Sequence, residues 1–317
     1  MDTTSIVTRT RALLVEHYVF PDVATRLDAL LADRLAAGAY DAATPEELGR
    51  LVTADLGSVN GDRHLRLKFH AEPVPEADGG ASEQEARRMF AESMGGVPRL
   101  RRLPGGVAHL ELAPLLFPAP WAAERIAAAF TLVSPAEALV IDLRENVGGA
   151  PETVALVCGY LLDEPTHLNT MHDRNGPGRQ FWSPGHVAGT PFGGTRPVYV
   201  LTSGRTFSGA EELAYDLQQL GRAVVVGERT GGGAHPRRGF TVHPHLEATI
   251  PTGRAVNPVS GANWELVGVA PDVEVPAEQA LDRAHREALR ELGRRGAAGG
   301  GTDRFILSGT APVQPAG

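Results

Sequence analysis

The chain has 317 residues, 42% of them apolar and 21% charged, proportions ordinary for a globular protein. A net charge of −8 with no basic block speaks against a nucleic-acid partner. The single cysteine, Cys158, excludes an intramolecular disulfide, and no apolar run reaches the length that spans a bilayer. The first residues lack the basic and then apolar pattern of a secretory signal, so a cytoplasmic setting is expected.

In chain order, residues 6–56 read as amphipathic helices. Val7, Leu13, Leu14 and Tyr18 precede Pro21, which ends the first helix. Leu27, Leu30, Leu31 and Leu35 carry a second helix to Gly38. Thr44-Pro-Glu-Glu47 opens a third in the manner of a capping box, and that helix ends near Gly57. Residues 62–69 alternate, with Leu65, Leu67 and Phe69 on one face and His64, Arg66 and Lys68 on the other, which predicts a half-buried strand. Residues 71–96 are polar and acidic and read as a linker or flap with a helical patch at 86–94. A strand at 107–112 and a helix at 121–132 follow. The continuous apolar run at 138–143 fits a strand buried on both faces. A glycine turn then leads to a helix around Cys158, which packs as a small hydrophobe. Strand 197–201, helix 209–220 and strand 223–227 repeat the rhythm of an α/β sheet with right-handed crossovers. Residues 239–250 and 265–275 read as late hairpin-like strands, and the Gly-, Ala- and Pro-rich end as an unstructured tail.

Four segments carry candidate chemistry. Ser208 sits where strand 197–201 passes through a small-residue turn into a helix. There a hydroxyl is lifted off the sheet edge among the backbone N–H groups of the helix start. The same position suits a helix N-cap. Gly209, directly after it, offers an amide for a developing oxyanion. Asp142-Leu-Arg-Glu-Asn-Val-Gly148-Gly149 follows a buried strand, and its paired glycines free amides at a second helix start. In the simplest alternative it is a tight turn with Asp142 and Arg144 paired. His64 is a base of suitable pKa, with His235, His243 and His245 as competitors. The two last alternate like metal ligands but have no carboxylate or cysteine at typical spacing. Glu265 is a carboxylate able to orient a histidine, and Glu211, Glu212 and Glu228 compete with it on charge alone. Lys68 is the only lysine, so any lysine base must be this one. Four residues along a strand from His64 places it about 13 Å away.

Six pieces in this order resemble the S41 peptidases, the tail-specific and tricorn-core superfamily, and most closely the branch of the interphotoreceptor retinoid-binding protein modules. They are Tyr18-Val-Phe-Pro21, Gly61-Asp-Arg-His64, the turn ending at Gly149, residues 202–212, residues 221–236 and the stretch from Asn263-Trp-Glu265 to Asp272. The resemblance implies an α/β fold with a crotonase/ClpP-like ββα-superhelix core. It divides the chain into an N-terminal helical region (1–57), a catalytic core (58–292) and a tail (293–317). It makes Ser208 the nucleophile, His64 its base and Glu265 the acid, with the backbone N–H groups of Gly209 and Gly148 as the oxyanion hole and Gly149 the alternative to Gly148. Tail-specific proteases use a lysine after a Gly-Glu-x-Thr segment, but here that place reads Gly227-Glu-Arg-Thr-Gly-Gly-Gly-Ala-His235, so the resemblance favours the triad over a Ser–Lys dyad. No PDZ-like segment is read between the helical region and the core. The expected function is a serine-type peptidase acting on peptide or unfolded polypeptide, with no metal or cofactor and with homo-oligomer formation among its options. A retinoid- or lipid-like ligand-binding module and a small-molecule acyl transferase or esterase are the alternatives.

Overall fold

The computed structural model describes residues 2–41, 43–74, 83–174, 176 and 178–299. The chain opens with three helices, α1 (Thr3–His17), α2 (Pro21–Ala36) and α3 (Pro45–Asn60). Pro21 and Pro45 each occupy a first-turn position, where the missing N–H costs nothing. Thr44 caps α3 by accepting the Glu47 N–H at 3.2 Å. The helix runs three residues beyond its expected end at Gly57, to Asn60, and stops at Gly61, whose φ of +71° makes a left-handed cap.

Strand β1 (Arg66–Phe69) is shorter than the expected 62–69 strand, because residues 62–65 form the turn that leaves the cap. Helix α4 (Glu83–Glu92), β2 (Arg99–Leu103), β3 (Val107–Glu111), α5 (Ala119–Val133), β4 (Ala138–Asp142) and α6 (Pro151–Gly159) follow. Next come β5 (His167–Asp173), β6 (Arg179–Trp182), β7 (Val198–Thr202), α7 (Gly209–Gln219) and β8 (Val224–Gly227). The chain closes with β9 (Arg237–His243), β10 (Leu246–Pro251), β11 (Gly253–Val256), β12 (Val273–Glu274) and α8 (Ala277–Gly299).

The central sheet has the order β12-β8-β7-β4-β3-β2, parallel throughout except for the antiparallel edge pair β2–β3. Helices α5, α6 and α7 cover one face, where Ile126, Phe130, Val154, Leu213 and Leu217 meet Leu139, Ile141, Val198 and Val200. Helix α8 covers the other, laying Ala280, Ala284 and Ala288 against Val140, Leu201 and Val226. Covered on both faces, β4 and β7 are buried at every position, which is why their sequences are uninterrupted apolar runs. A second sheet, β1-β10-β9, is antiparallel and shares an apolar core with α1, α2 and α3 through Leu14, Leu27, Val52, Leu67 and Ala248. The third sheet is β11-β5-β6.

Two expectations are corrected. The stretch 265–275 is a turn apart from Val273–Glu274, since Leu266 and Gly268 have φ of +64° and +68° and cannot be extended. Helix α8 carries ordered chain past the expected end of the core at 292, and the expected tail beyond Gly299 lies outside the described residues, as do 75–82 of the expected flap. Among the described residues no helix is long and apolar enough to cross a membrane.

Candidate active site

Strands β4 and β7 are parallel neighbours, so the loops at their carboxyl ends share one edge of the sheet. Those loops are the two glycine- and serine-rich segments singled out in the sequence, and hydrogen bonds stitch them together. Thr206 Oγ1 donates to the Leu143 carbonyl at 2.9 Å, Ser203 Oγ to the Arg144 carbonyl at 2.6 Å, and the Phe207 N–H to the Asn146 carbonyl at 3.2 Å. Asp142 and Arg144 form the structural pair, at 2.9 and 2.7 Å, and hold the base of the turn.

Ser208 ends the β7 loop with φ +52° and ψ −121°. A side-chain-bearing residue held at positive φ stores strain of about 1–3 kcal/mol, which persists only where the surroundings enforce it. Here Glu211 enforces it. Its buried carboxylate accepts the Ser208 N–H at 2.7 Å and the Gly233 N–H at 2.9 Å on Oε2, and the Gly232 N–H at 2.7 Å and the Thr230 hydroxyl on Oε1. Burial raises the Glu211 pKa, and these donors act against the rise. Glu211 is thus spent on backbone and is not placed to orient a histidine.

The second loop reaches Ser208 only because its last two residues, Gly148 and Gly149, have no side chains. A Cβ on Gly148 would lie 2.9 Å from Ser208 Cβ, and one on Gly209 would lie 2.7 Å from the Gly149 carbonyl oxygen. The Gly148 N–H donates to Asn146 Oδ1 at 2.9 Å and is therefore engaged. Among the described residues, the N–H groups of Gly149 and Gly209 find no protein acceptor.

His64 enters from the turn between α3 and β1. Its N–H donates to Asp62 Oδ1 at 3.0 Å, its carbonyl accepts from Thr249 Oγ1 at 2.8 Å, and its ring lies 4.9 Å from that of Phe207, the residue before Ser208. The residue is 6% exposed and its Nδ1 is buried without a hydrogen-bond partner. Burial pushes its pKa down to about 4. The Asp62 charge opposes that fall, and His235, Arg237 and Arg66 add to it. At neutral pH the imidazole is uncharged, the form in which it accepts a proton. Among the described residues no hydrogen bond joins the ring to Ser208; such contacts are often long before substrate binds.

Glu265 comes to the same place from the far end of the chain. Oε2 accepts the Ala234 N–H at 2.6 Å, while Oε1 is buried without a partner. Burial raises its pKa against the pull of His235. Donor atoms of Asp62, His64 and Glu265 all lie within 4.8 Å of one another. Two members of this cluster were not foreseen in these roles. Asp62 Oδ2 accepts the Tyr18 hydroxyl at 2.9 Å and stands 3.1 Å from His235 Nδ1, and His235 Nδ1 is 3.5 Å from Glu265 Oε2. The Asp-x-His spacing, which lets Asp62 bond the His64 N–H, was the available signal. Lys68 is exposed on β1, and His243 and His245 sit at the β9–β10 turn, bonded to each other through the His245 N–H.

Residues 119–275 match the model for peptidase family S41, and residues 1–94 match that for the N-terminal domain of peptidase S41 in eukaryotic IRBP. A carboxyl-terminal-processing protease of Picosynechococcus sp. is 29% identical over 143 residues, covering 45% of this chain and 33% of that protein. One from Synechocystis sp. is 35% identical over 97 residues, covering 31% and 21%. The chain thus spans a third or less of these relatives. Among solved structures, the photosystem II D1 C-terminal processing protease has a TM-score of 0.56 at 16% identity, over 91% of this chain and 98% of that one. The tricorn protease has a TM-score of 0.58 at 13% identity, over 92% and 37%. These likenesses show a shared mixed α/β fold. With both family models meeting the chain, one on its N-terminal helices and one on the core that bears Ser208, the chain belongs to peptidase family S41.

Proposed function

We propose that the chain is a serine-type peptidase that cleaves peptide bonds through an acyl-enzyme. Ser208 is the nucleophile, His64 the general base and Glu265 the carboxylate that orients it. The amides of Gly209 and Gly149 hold the oxyanion, Gly149 rather than Gly148 because the Gly148 N–H is engaged by Asn146. The observation that carries this reading is the strained Ser208 at a strand–helix junction, flanked by two glycine amides without protein acceptors and approached by a buried, neutral imidazole.

In the proposed reaction, Ser208 Oγ bonds to the peptide carbonyl carbon as His64 Nε2 takes the hydroxyl proton. Negative charge gathers on the carbonyl oxygen, where the two amides meet it; such donors are worth about 100- to 1,000-fold in rate each. The tetrahedral species collapses, the C–N bond breaks, and His64 gives its proton to the leaving amine. Water then attacks the ester, His64 takes and returns a proton in the same way, and Ser208 is regenerated. In this reading Glu265 Oε1, which is buried and without a partner, receives the Nδ1–H of the imidazolium formed at each stage.

The test is intact-mass measurement after treatment with a fluorophosphonate. One adduct per chain is expected on the wild type, none on Ser208→Ala, and strongly slowed addition on His64→Ala. A folded wild type that takes no adduct would point to a ligand-binding module instead.

A further inference from the structure

His64 and Glu265 each carry a buried polar atom that no protein group satisfies, Nδ1 and Oε1, and one donor atom from each of Asp62, His64 and Glu265 lies within 4.8 Å of the others. Leaving buried polar atoms unpaired is unfavourable, and three donors converging on one point have a common remedy, a cation.

The chemistry of the donors narrows its class. One imidazole nitrogen and two carboxylate oxygens form a mixed N/O set, which suits zinc and its first-row neighbours, whereas magnesium and calcium prefer oxygen alone. In a tetrahedral site with bonds of about 2.1 Å, ligand atoms stand roughly 3.4 Å apart. The three donors here lie within 4.8 Å of one another, so closing the site takes a contraction of up to about 1.4 Å. The outer contacts of a metal site are also in place. The Tyr18 hydroxyl and the His64 N–H fix the two oxygens of Asp62, and the Ala234 N–H fixes Oε2 of Glu265, leaving Oε1 free to turn inward. His235 Nδ1, 3.1 Å from Asp62 Oδ2 and 3.5 Å from Glu265 Oε2, is an outer contact of both carboxylates. The positive groups that oppose a cation are His235, Arg237 and Arg66, whose charges all bear on His64.

We propose that Asp62, His64 and Glu265 form a binding site for a zinc-class divalent cation, and that occupancy of this site silences Ser208. The silencing follows from proton placement. A neutral imidazole carries one proton. With the metal on Nδ1, that proton must sit on Nε2, which then donates and cannot accept from the serine hydroxyl. The metal also takes Glu265 away from the imidazolium it would stabilise. The binding half of the proposal stands on the donor geometry alone, and the silencing half rests on the peptidase reading.

The experiment uses the full chain and two readouts: Zn²⁺ affinity by competition with a chromophoric chelator, and the rate of fluorophosphonate addition with and without Zn²⁺. One Zn²⁺ per chain is expected. Glu265→Gln and His64→Gln should each weaken binding by about tenfold or more, and the paired surface change His243→Gln with His245→Gln should leave it intact. Saturating Zn²⁺ should slow wild-type labelling at least tenfold, with recovery on adding EDTA. Tyr18→Phe, which removes the hydroxyl that donates to Asp62 and accepts from Asn60 while leaving all three proposed ligands in place, supplies a further variant with a smaller loss of affinity should the others unfold. Absence of stoichiometric binding, or binding that survives the site variants and disappears with His243 and His245, overturns the site. Binding at the site without slowed labelling overturns the silencing. A wild type that binds Zn²⁺ at the site but never labels would instead count against the peptidase reading and leave the metal site supported.

Discussion

The carboxylate of Glu211 accepts the backbone N–H of Ser208 at 2.7 Å, and the same oxygen accepts the N–H of Gly233 at 2.9 Å. A Cβ on Gly233 would meet both Phe207 and His64, at 2.2 and 2.6 Å, so the glycine loop that Glu211 grips is also the wall behind the imidazole. One side chain therefore sets the serine elbow and the seat of its base together. Glu211→Gln replaces an oxygen that accepts with an amide that donates into N–H groups. The expected outcome is a loss of about 2–3 kcal/mol of stability and labelling of Ser208 slowed by about 100-fold, the scale of a lost oxyanion contact. Chemical denaturation and labelling at a temperature where the variant is folded check the two parts. Unchanged labelling in a folded variant would confine Glu211 to a structural role.

The positive φ of Ser208 predicts a stability difference that does not depend on the hydroxyl. Both Ser208→Ala and Ser208→Gly remove the nucleophile, but only glycine adopts φ +52° without strain. Ser208→Gly is expected to be more stable than Ser208→Ala by about 1 kcal/mol or more, because glycine is also the better tolerated of the two at a helix N-cap. Urea unfolding of the two variants makes the comparison, and equal midpoints would mean that the elbow is not strained.

Ser208, Gly209 and the Gly148–Gly149 pair were legible because strand, turn and helix follow one another within a dozen residues, and the local pattern places them on the sheet edge. The helix cap at Thr44 was legible for the same reason, whereas the end of α3 was expected near Gly57 and falls at Gly61. The partners of His64 were not. Asp62 and His235 meet across 173 residues, and that pairing depends on how the β1-β10-β9 sheet packs beside the central one. Strand β2 escaped notice because its Arg-Leu-Arg-Arg-Leu sequence is that of a polar edge with no fully buried position. Helix α8 had a signal that went unread, alanines at 280, 284 and 288 marking a narrow face packed tightly on the sheet. The stretch after Glu265 reads as a strand from sequence because its composition is apolar. Its shape is imposed by tertiary bonds, in which Thr230 Oγ1 accepts the Val269 N–H at 2.7 Å and the Gly232 carbonyl accepts the Leu266 N–H at 3.1 Å.

The depressed pKa of His64 fixes the pH behaviour of the free protein. With the imidazole titrating at about 4 because it is buried, the base is already unprotonated at pH 5. Fluorophosphonate labelling is expected to be flat from about pH 5 to 8 and to fall by half only near pH 4. A half-point near the ordinary histidine value of about 6.5 would show that the working ring is solvated or charge-stabilised. The same shift carries a stability consequence. The folded state resists protonating His64 while the unfolded state does not, so this contribution is full above about pH 6.5 and is lost as pH falls toward 4. Its size is at most roughly 3 kcal/mol, and His64→Gln should flatten that part of the stability profile.

Glu212 and Asp216 lie one helical turn apart on α7, fully buried, with Asn169 bonded to the first at 3.1 Å and Asn257 to the second at 2.9 Å. Burial raises both pKa values, that of Glu212 to about 7, and Asp216 Oδ2 has no partner. The folded state thus favours the protonated acid, and the sign is opposite to that of His64. The contribution is full below the unfolded glutamate value near 4.5 and is lost as pH rises to about 7. Glu212→Gln keeps an oxygen to accept from Asn169 and removes the charge that would form beside Asp216. The variant is expected to be more stable than wild type by about 1–3 kcal/mol at pH 8, with the gap closing toward pH 5. Thermal unfolding across that range reads it directly. A gap that stays constant with pH would mean that Glu212 keeps its proton throughout, and a variant less stable at pH 8 would mean that its ionised form is the one the fold accommodates.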